Sequence, residues 1–118
     1  MGKLSTHVLD TVQGCPAVGV VLELWQHHPH NEIHFVKRLR TNGDGRTDEL
    51  LLSAEEMRVG QFEIRFKIGD YFAEQGILLS EPRFLDEVPI RFAIFDSEQG
   101  YHVPLLASPW AYSTYRGS

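Results

Sequence analysis

The sequence predicts an all-β protein, a β-sandwich of about eight strands with one short helix. Three observations lead to this prediction. Hydrophobic and polar residues alternate along most of the chain, turn-forming Gly, Pro and Asn residues separate the alternating segments, and a single segment has helical character. Alternation with a period of two is typical of strands that bury one face. Many short strands with one helical turn favour two packed sheets.

The predicted strands account for most of the chain. In order, they cover 3–10, 18–25, 32–39, 48–52, 61–68, 88–94, 101–108 and 110–116. The clearest alternation runs from Phe62 to Ile68, where every second residue is apolar, and the stretch from Val88 to Ile94 repeats it. We therefore expect half-buried antiparallel strands in both places.

Two further strands are predicted to contribute one apolar face each. From Val18 to Leu24 the even-numbered residues are all apolar, and Val21 is apolar as well, so we interpret this segment as a central strand. The segment 32–39 would bury Ile33, Phe35 and Leu39. His34 then points outward and is expected at the surface.

Turn signals separate the predicted strands. The strongest is Asn-Gly-Asp-Gly at 42–45, because Gly43 and Gly45 can adopt a positive φ without a steric cost. The one predicted helix covers 70–76. Asp70 would cap its first turn and Gly76 would end it.

Length and composition indicate one domain over residues 1–118. With 11 Lys and Arg against 16 Asp and Glu, the formal net charge is −5, which disfavours binding to nucleic acid. A single cysteine, Cys15, excludes an intrachain disulfide. We expect a cytoplasmic protein without a membrane span, since neither an apolar signal core nor a span-length apolar run occurs. A myristoylation pattern at Gly2 and Thr6 is short, and we interpret it as chance.

Histidines are the first candidates for chemistry. The chain has six, four of them within 27–34, and we interpret this cluster as a solvated turn rather than a metal site. His7 and His102 each alternate outward within a predicted strand, and Arg46 follows the Asn-Gly-Asp-Gly turn. Taken singly, all three are expected to be exposed polar residues. A metal site that combines His7, His102 and the 27–34 cluster is an alternative, which a nearby Arg46 would disfavour.

Two stretches carry a resemblance to a known family. "HVLDTVQGCPA" at 7–17 and "SPWAYSTYRGS" at 108–118 resemble the transthyretin-like family, whose framework covers essentially the whole chain. One branch of that family, the transthyretins, carries thyroid hormone. The other branch comprises 5-hydroxyisourate hydrolases, which act after urate oxidase in purine breakdown.

Four positions are similar to the hydrolase branch. The matching residues are His7, Arg46, His102 and the terminal Tyr115, Arg116, Gly117 and Ser118. Transthyretins have Lys in place of His7 and lack the Tyr-Arg-Gly-Ser ending. The resemblance implies a transthyretin-like (prealbumin-like) sandwich and a homotetramer, a dimer of dimers, with a central channel lined by the last strands. The Tyr-Arg-Gly-Ser endings would lie at the dimer–dimer interface and form walls of the active sites.

The resemblance also implies an activity. The expected reaction is hydrolysis of 5-hydroxyisourate to 2-oxo-4-hydroxy-4-carboxy-5-ureidoimidazoline in urate degradation, without metal or other cofactor. His7 and His102 would transfer protons, and Arg46 would stabilise negative charge. Substrate binding would involve His7, Arg46, Tyr115, Arg116, Gly117 and Ser118. The alternative is a carrier that binds a small hydrophobic ligand in the tetramer channel.

Overall fold

The computed structural model describes residues 1–117, which form two four-stranded sheets. The elements are β1 (Lys3–Asp10), β2 (Cys15–Pro16), β3 (Val21–His28), β4 (Glu32–Arg40), β5 (Gly60–Lys67), α1 (Ile68–Glu74), β6 (Glu87–Ile94), β7 (Gly100–Ala107) and β8 (Tyr112–Thr114), with a short 3₁₀ helix at Pro29–Asn31. The strand orders are β2-β1-β7-β8 and β4-β3-β5-β6. The predicted all-β sandwich with one short α-helix is therefore confirmed.

The core lies between the two sheets and is built from the inward residues of each strand. Its fully buried members include Leu4, Val8, Leu22, Leu24, Phe62, Ile64, Phe66 and Leu105. Removal of this apolar surface from water is the main favourable term in folding. Strands β1, β5, β6 and β7 begin and end within one residue of the predicted segments.

Strand β3 begins three residues later than predicted. Gly19 has φ +85° and donates its amide proton to the carbonyl oxygen of Thr41, so the chain turns before it extends. Val18 lies before this turn and is 52% exposed, against the prediction. The strand is nevertheless central, as predicted, because it lies between β4 and β5.

A bulge changes the face that β4 presents. Leu24 pairs with Lys37, but the next residue, Trp25, pairs with Phe35. Because of this one-residue shift, the side chains of β4 on the N-terminal side of the bulge point to the opposite face from the one that simple alternation predicts. Ile33 and Phe35 are therefore 39% and 52% exposed, and their predicted burial was wrong. His34 is exposed, as predicted.

Two other expectations need correction. Segment 48–52 is not a strand, because only an isolated bridge between Leu4 and Leu52 forms there. Helix α1 begins at Ile68, and Asp70 does not cap it but accepts a hydrogen bond from Arg83. Gly76 follows the helix with φ +80°, which confirms its predicted role as the stop. No helix in residues 1–117 is long and apolar enough to cross a membrane.

Candidate active site

Strands β1 and β7 bring the two strand histidines to one face of the sheet. They pair in parallel, with Ser5 opposite His102 and His7 opposite Pro104. Paired residues share a face, and a step of two residues moves a side chain by about 7 Å along a strand. His7 and His102 therefore lie near each other on the side away from the core, which we call the outer face. Their predicted outward orientation is confirmed, but both side chains are half-buried and not exposed as expected.

The His102 ring is held on two sides. Its Nδ1 atom lies 2.9 Å from the hydroxyl oxygen of Ser5. The amide of Gly117 donates a 2.7 Å hydrogen bond to the His102 carbonyl oxygen, which brings the backbone of residue 117 against the ring. A Cβ atom at Gly117 would lie only 2.7 Å from Cδ2 of His102, so a side chain there would displace the imidazole. The remaining ring nitrogen, Nε2, has no hydrogen-bonding partner among residues 1–117.

The surroundings of His102 disfavour its protonated form. Partial burial lowers the pKa of His102 below its usual 6.5, and the positive charges of Arg46, His7 and Lys3 lower it further. The imidazole is consequently neutral at pH 7. A neutral imidazole with a free Nε2 can accept a proton from a water molecule.

The Asn-Gly-Asp-Gly turn carries Arg46 to the edge of the outer face. Asn42 closes the turn, because its side-chain oxygen accepts hydrogen bonds from the amides of Asp44 and Arg46. Gly45 adopts φ +76°, and its carbonyl oxygen accepts the amide proton of Val8. The backbone of Gly45 also lies against the His7 ring. The turn therefore fixes Arg46 next to strand β1, where its charge acts on His102.

The C-terminal residues divide between two places. Gly117 pairs with His102 in an isolated bridge on the outer face. The Arg116 guanidinium lies 4.4 Å from the centre of the Tyr101 ring and donates to the carbonyl oxygen of Gly100. Tyr115 is 61% exposed. Both residue 115 and residue 116 line an apolar cavity of about 240 Å³ at the edges of β6 and β8. Ser118 lies outside the described residues.

The cavity at His102 is small. It has a volume of about 60 Å³ and is lined by Lys3, Ser5, Gly100, Tyr101 and His102. A larger cleft of about 400 Å³ lies on the other sheet beside α1, where Arg38, Arg40 and Lys67 are among the lining residues. Among residues 1–117, none of the predicted site residues lines that cleft. The outer face around His102 is open rather than enclosed in the described chain.

The clustered histidines have separate partners. Nε2 of His27 lies 2.7 Å from a carboxylate oxygen of the buried Glu63. The rings of His28 and His34 contact each other at an interplanar angle of 49°, with their centres 4.5 Å apart. In the part of the chain that the structure describes, no three His, Cys, Asp or Glu side chains are arranged to hold a metal ion.

Two residues on the outer face were not singled out from the sequence. Ser5 and Lys3 both lie beside His102. Ser5 forms a hydrogen bond with the His102 ring, and the charge of Lys3 lowers the pKa of that ring. A serine and a lysine in an alternating strand carry no local signal of such a role. Only the pairing of β1 with β7, strands 97 residues apart, brings them to the histidine.

Comparison with known proteins identifies the family. Residues 4–117 match the family described as HIUase/Transthyretin. The chain belongs to the HIUase/Transthyretin family. Among curated members, proteins named 5-hydroxyisourate hydrolase from Pseudomonas aeruginosa and Mesorhizobium japonicum are 46% and 50% identical. These alignments cover 100% and 99% of this chain and 93% of each relative. The predicted resemblance is thereby confirmed.

Solved structures of the HIUase/Transthyretin fold superpose closely. The 5-hydroxyisourate hydrolase of Klebsiella pneumoniae is 33% identical with a TM-score of 0.80, and the match covers 100% of both chains. An (S)-allantoin synthase is 45% identical with a TM-score of 0.92, covering 99% of this chain but 44% of that one. Sea bream transthyretin in complex with thyroxine reaches a TM-score of 0.86 at 24% identity over 98% of this chain and 94% of that one, which establishes the shared fold alone.

Proposed function

We propose that the protein hydrolyses 5-hydroxyisourate to 2-oxo-4-hydroxy-4-carboxy-5-ureidoimidazoline, a step of urate degradation. The observation that carries this proposal is the convergence of His7, His102 and Arg46 on one side of β1. The relatives named above confirm the prediction that the chain is an enzyme, since both are named as hydrolases. At 46–50% identity over nearly the whole chain, they support the same reaction here.

The chemistry needs an activated water, a stabilised oxyanion and a proton for the departing nitrogen. His102 suits the role of general base, because it is neutral and its Nε2 has no hydrogen-bonding partner among the described residues. It removes a proton from water as the oxygen attacks the ring carbonyl. The carbon–nitrogen bond then breaks, and His7 supplies a proton to the nitrogen. The reaction consumes one water and leaves a carboxylate.

Arg46 provides charge stabilisation in this scheme. A guanidinium remains cationic at all physiological pH values and presents several planar N–H donors. It can therefore bind the oxygens of the substrate and the negative charge that develops on the attacked carbonyl. The same charge keeps the His102 imidazole neutral, so Arg46 serves both the oxyanion and the base.

The active assembly is proposed to be a homotetramer, a dimer of dimers. A cavity of about 60 Å³ is much smaller than the roughly 300–1,000 Å³ of most small-molecule sites. A bicyclic substrate therefore needs further walls. A second subunit over the outer face would supply them, with Tyr115, Arg116 and Ser118 available as substrate contacts. Sedimentation of the purified protein tests the tetramer, and a monodisperse active monomer would contradict it.

We further propose a cytoplasmic location, which cell fractionation tests.

The activity is tested by forming 5-hydroxyisourate in the cuvette with urate oxidase and following its ultraviolet absorbance. Because the substrate also decays spontaneously, wild-type protein is compared with a His7→Ala/His102→Ala variant and with His34→Ala, an exposed histidine far from the pair. We expect fast decay with wild type and with His34→Ala, and background decay with the double variant. Background decay with folded wild type would overturn the proposal. Thyroxine binding without turnover would then favour a carrier.

A further inference from the structure

The His102 ring has one side-chain hydrogen-bonding partner within residues 1–117, and it is a neutral one. Ser5 stands directly opposite His102 in the parallel pairing of β1 and β7, and its hydroxyl oxygen lies 2.9 Å from Nδ1. The two side chains are partly buried, and they line the same small cavity with Lys3. No carboxylate of the described chain bonds to this imidazole, although carboxylates commonly orient histidines elsewhere.

We propose that Ser5 is a positioning residue, which holds the His102 imidazole through Nδ1 so that Nε2 faces the substrate. This inference rests on the proposed function and deepens it. Gly117 supports the same arrangement from the other side, because its backbone leaves no room for the ring to swing toward residue 117. With the ring confined between residues 5 and 117, the free nitrogen has a fixed direction.

A hydroxyl suits this position because it both donates and accepts hydrogen bonds. When His102 is a neutral base, Nδ1 carries the proton and donates to Ser5. The same hydrogen bond persists after Nε2 has taken a proton from water. If the ring adopts the other neutral tautomer, the hydroxyl rotates and donates to Nδ1 instead. The serine can therefore remain bonded to the ring through the whole cycle, whereas a carboxylate could only accept.

Charge gives a second reason for a neutral partner. The titratable groups that act on His102 are Lys3 and His7 on β1 and Arg46 on the adjacent turn, and all of them are cations when protonated. From the β8 side the described contact is Gly117, which has no side chain. A carboxylate at residue 5 would offset these charges and favour the imidazolium. Ser5 orients the ring without that effect.

Three substitutions separate orientation from charge. Ser5→Ala removes the hydrogen bond, and we expect kcat to fall about tenfold while KM changes little, since one neutral hydrogen bond contributes about 0.5–1.5 kcal/mol. Ser5→Thr keeps the hydroxyl and should restore most of the activity. Ser5→Asp should move the acid limb of kcat/KM to higher pH, by about one unit or more. Ser80→Ala removes an exposed hydroxyl that bonds locally to Pro82 and serves as the matched control.

A readout without turnover keeps this inference separate from the proposed function. Long-range ¹H–¹⁵N spectra report the hydrogen bonding of Nδ1 and the pKa of His102, with His102→Asn used to assign its signals. We expect wild type and Ser5→Thr to share an Nδ1 chemical shift that Ser5→Ala loses. An unchanged Nδ1 shift in Ser5→Ala, or a Ser5→Thr variant as slow as Ser5→Ala, would overturn the role of Ser5. An inactive wild type would instead overturn the proposed reaction, whatever the spectra show.

Discussion

The backbone of Gly117 lies against the imidazole of His102, with its amide bonded at 2.7 Å to the carbonyl oxygen of the same histidine. A Cβ atom at residue 117 would be 2.7 Å from Cδ2, a separation that non-bonded carbon atoms do not tolerate. The contact joins the end of the described chain to a proposed catalytic side chain. It gives a physical reason for a residue without a side chain at this position.

Gly117→Ala is therefore expected to displace the His102 ring and lower kcat. Misplacing a catalytic group by about 1 Å can cost on the order of 10²-fold in rate. The melting temperature should change little, because residue 117 is not part of the core. Gly43→Ala is the matched control, since a Cβ there meets nothing within 4 Å. A fully active Gly117→Ala variant would show that the ring accommodates the methyl group without loss.

His102→Asn should remove the proposed base while keeping a side chain of similar polarity. We expect kcat to fall by about 10²–10⁴-fold, the usual contribution of a general base. The assembly state should be unchanged, as measured by sedimentation. His34→Asn replaces an exposed histidine and should retain wild-type turnover. Wild-type kcat in His102→Asn would exclude this histidine as the base.

Arg46→Gln should change the pH dependence as well as the rate. Burial lowers the pKa of His102, and Arg46 lowers it further, so removal of the cation raises that pKa toward its usual 6.5. Because the base must be neutral, the acid limb of kcat/KM then lies at higher pH than in wild type. Arg38→Gln, an exposed arginine on β4 of the other sheet, is the control. If the acid limb of kcat/KM lies at the same pH in Arg46→Gln as in wild type, the charge of Arg46 does not act on the base.

Gly45→Ala should destabilise the fold and disturb His7. Residue 45 has φ +76°, and its Cβ would lie 2.5 Å from the carbonyl oxygen of Val8 and 3.2 Å from Cδ2 of His7. Gly14→Ala isolates the backbone penalty, about 1–2 kcal/mol, since φ is +68° and the space is open. Denaturant unfolding should show a larger loss for Gly45→Ala than for Gly14→Ala. Equal losses would indicate that the turn moves away from β1 without cost.

Tyr71→Phe tests a buried hydrogen bond that supports the first strand. The Tyr71 hydroxyl donates at 2.8 Å to Asp10, whose other oxygen accepts the amides of Val12 and Gln13. Its loss should cost about 1–3 kcal/mol of unfolding free energy at pH 7. Tyr112→Phe, on an exposed tyrosine, should cost little.

The same substitution should alter stability at alkaline pH. Burial and Asp10 raise the pKa of Tyr71 above its usual 10.0, so the folded state binds this proton more tightly than the unfolded chain. The associated stability is complete below about pH 10 and is lost as pH rises toward the folded pKa. Between about pH 9 and about pH 11, the unfolding free energy of wild type should therefore fall more than that of Tyr71→Phe. Parallel losses would contradict this account.

Local patterns in the sequence were sufficient to locate most strands, but they did not predict which strands pair or in which register. Alternation identified β1 and β5 because each buries one side along its whole length. The exposure of Phe35 was not predicted, because a bulge reverses the face that this part of β4 presents to the core. A bulge depends on the pairing with the partner strand, which the local sequence does not show. The short 48–52 segment has strand composition, yet Leu51 and Leu52 are buried with only a single bridge.

The candidate site was predictable only in part for a similar reason. The alternation showed that His7 and His102 point outward, but their proximity depends on a parallel pairing between distant strands. Resemblance to a family, rather than spacing, joined them with Arg46. Ser5 had no such signal, and its role became visible only once its pairing partner was known.

The pairing of β1 with β7 also has a consequence during synthesis on the ribosome. The long partner of β1 lies 97 residues further along the chain, so at about 5–20 residues per second the ribosome needs roughly 5–20 s to produce it. Throughout that interval Leu4 and Val8 have no completed sheet to pack in. The face that carries His7 and His102 therefore forms only after strand β7 has been synthesised, and until then the apolar side of β1 remains uncovered.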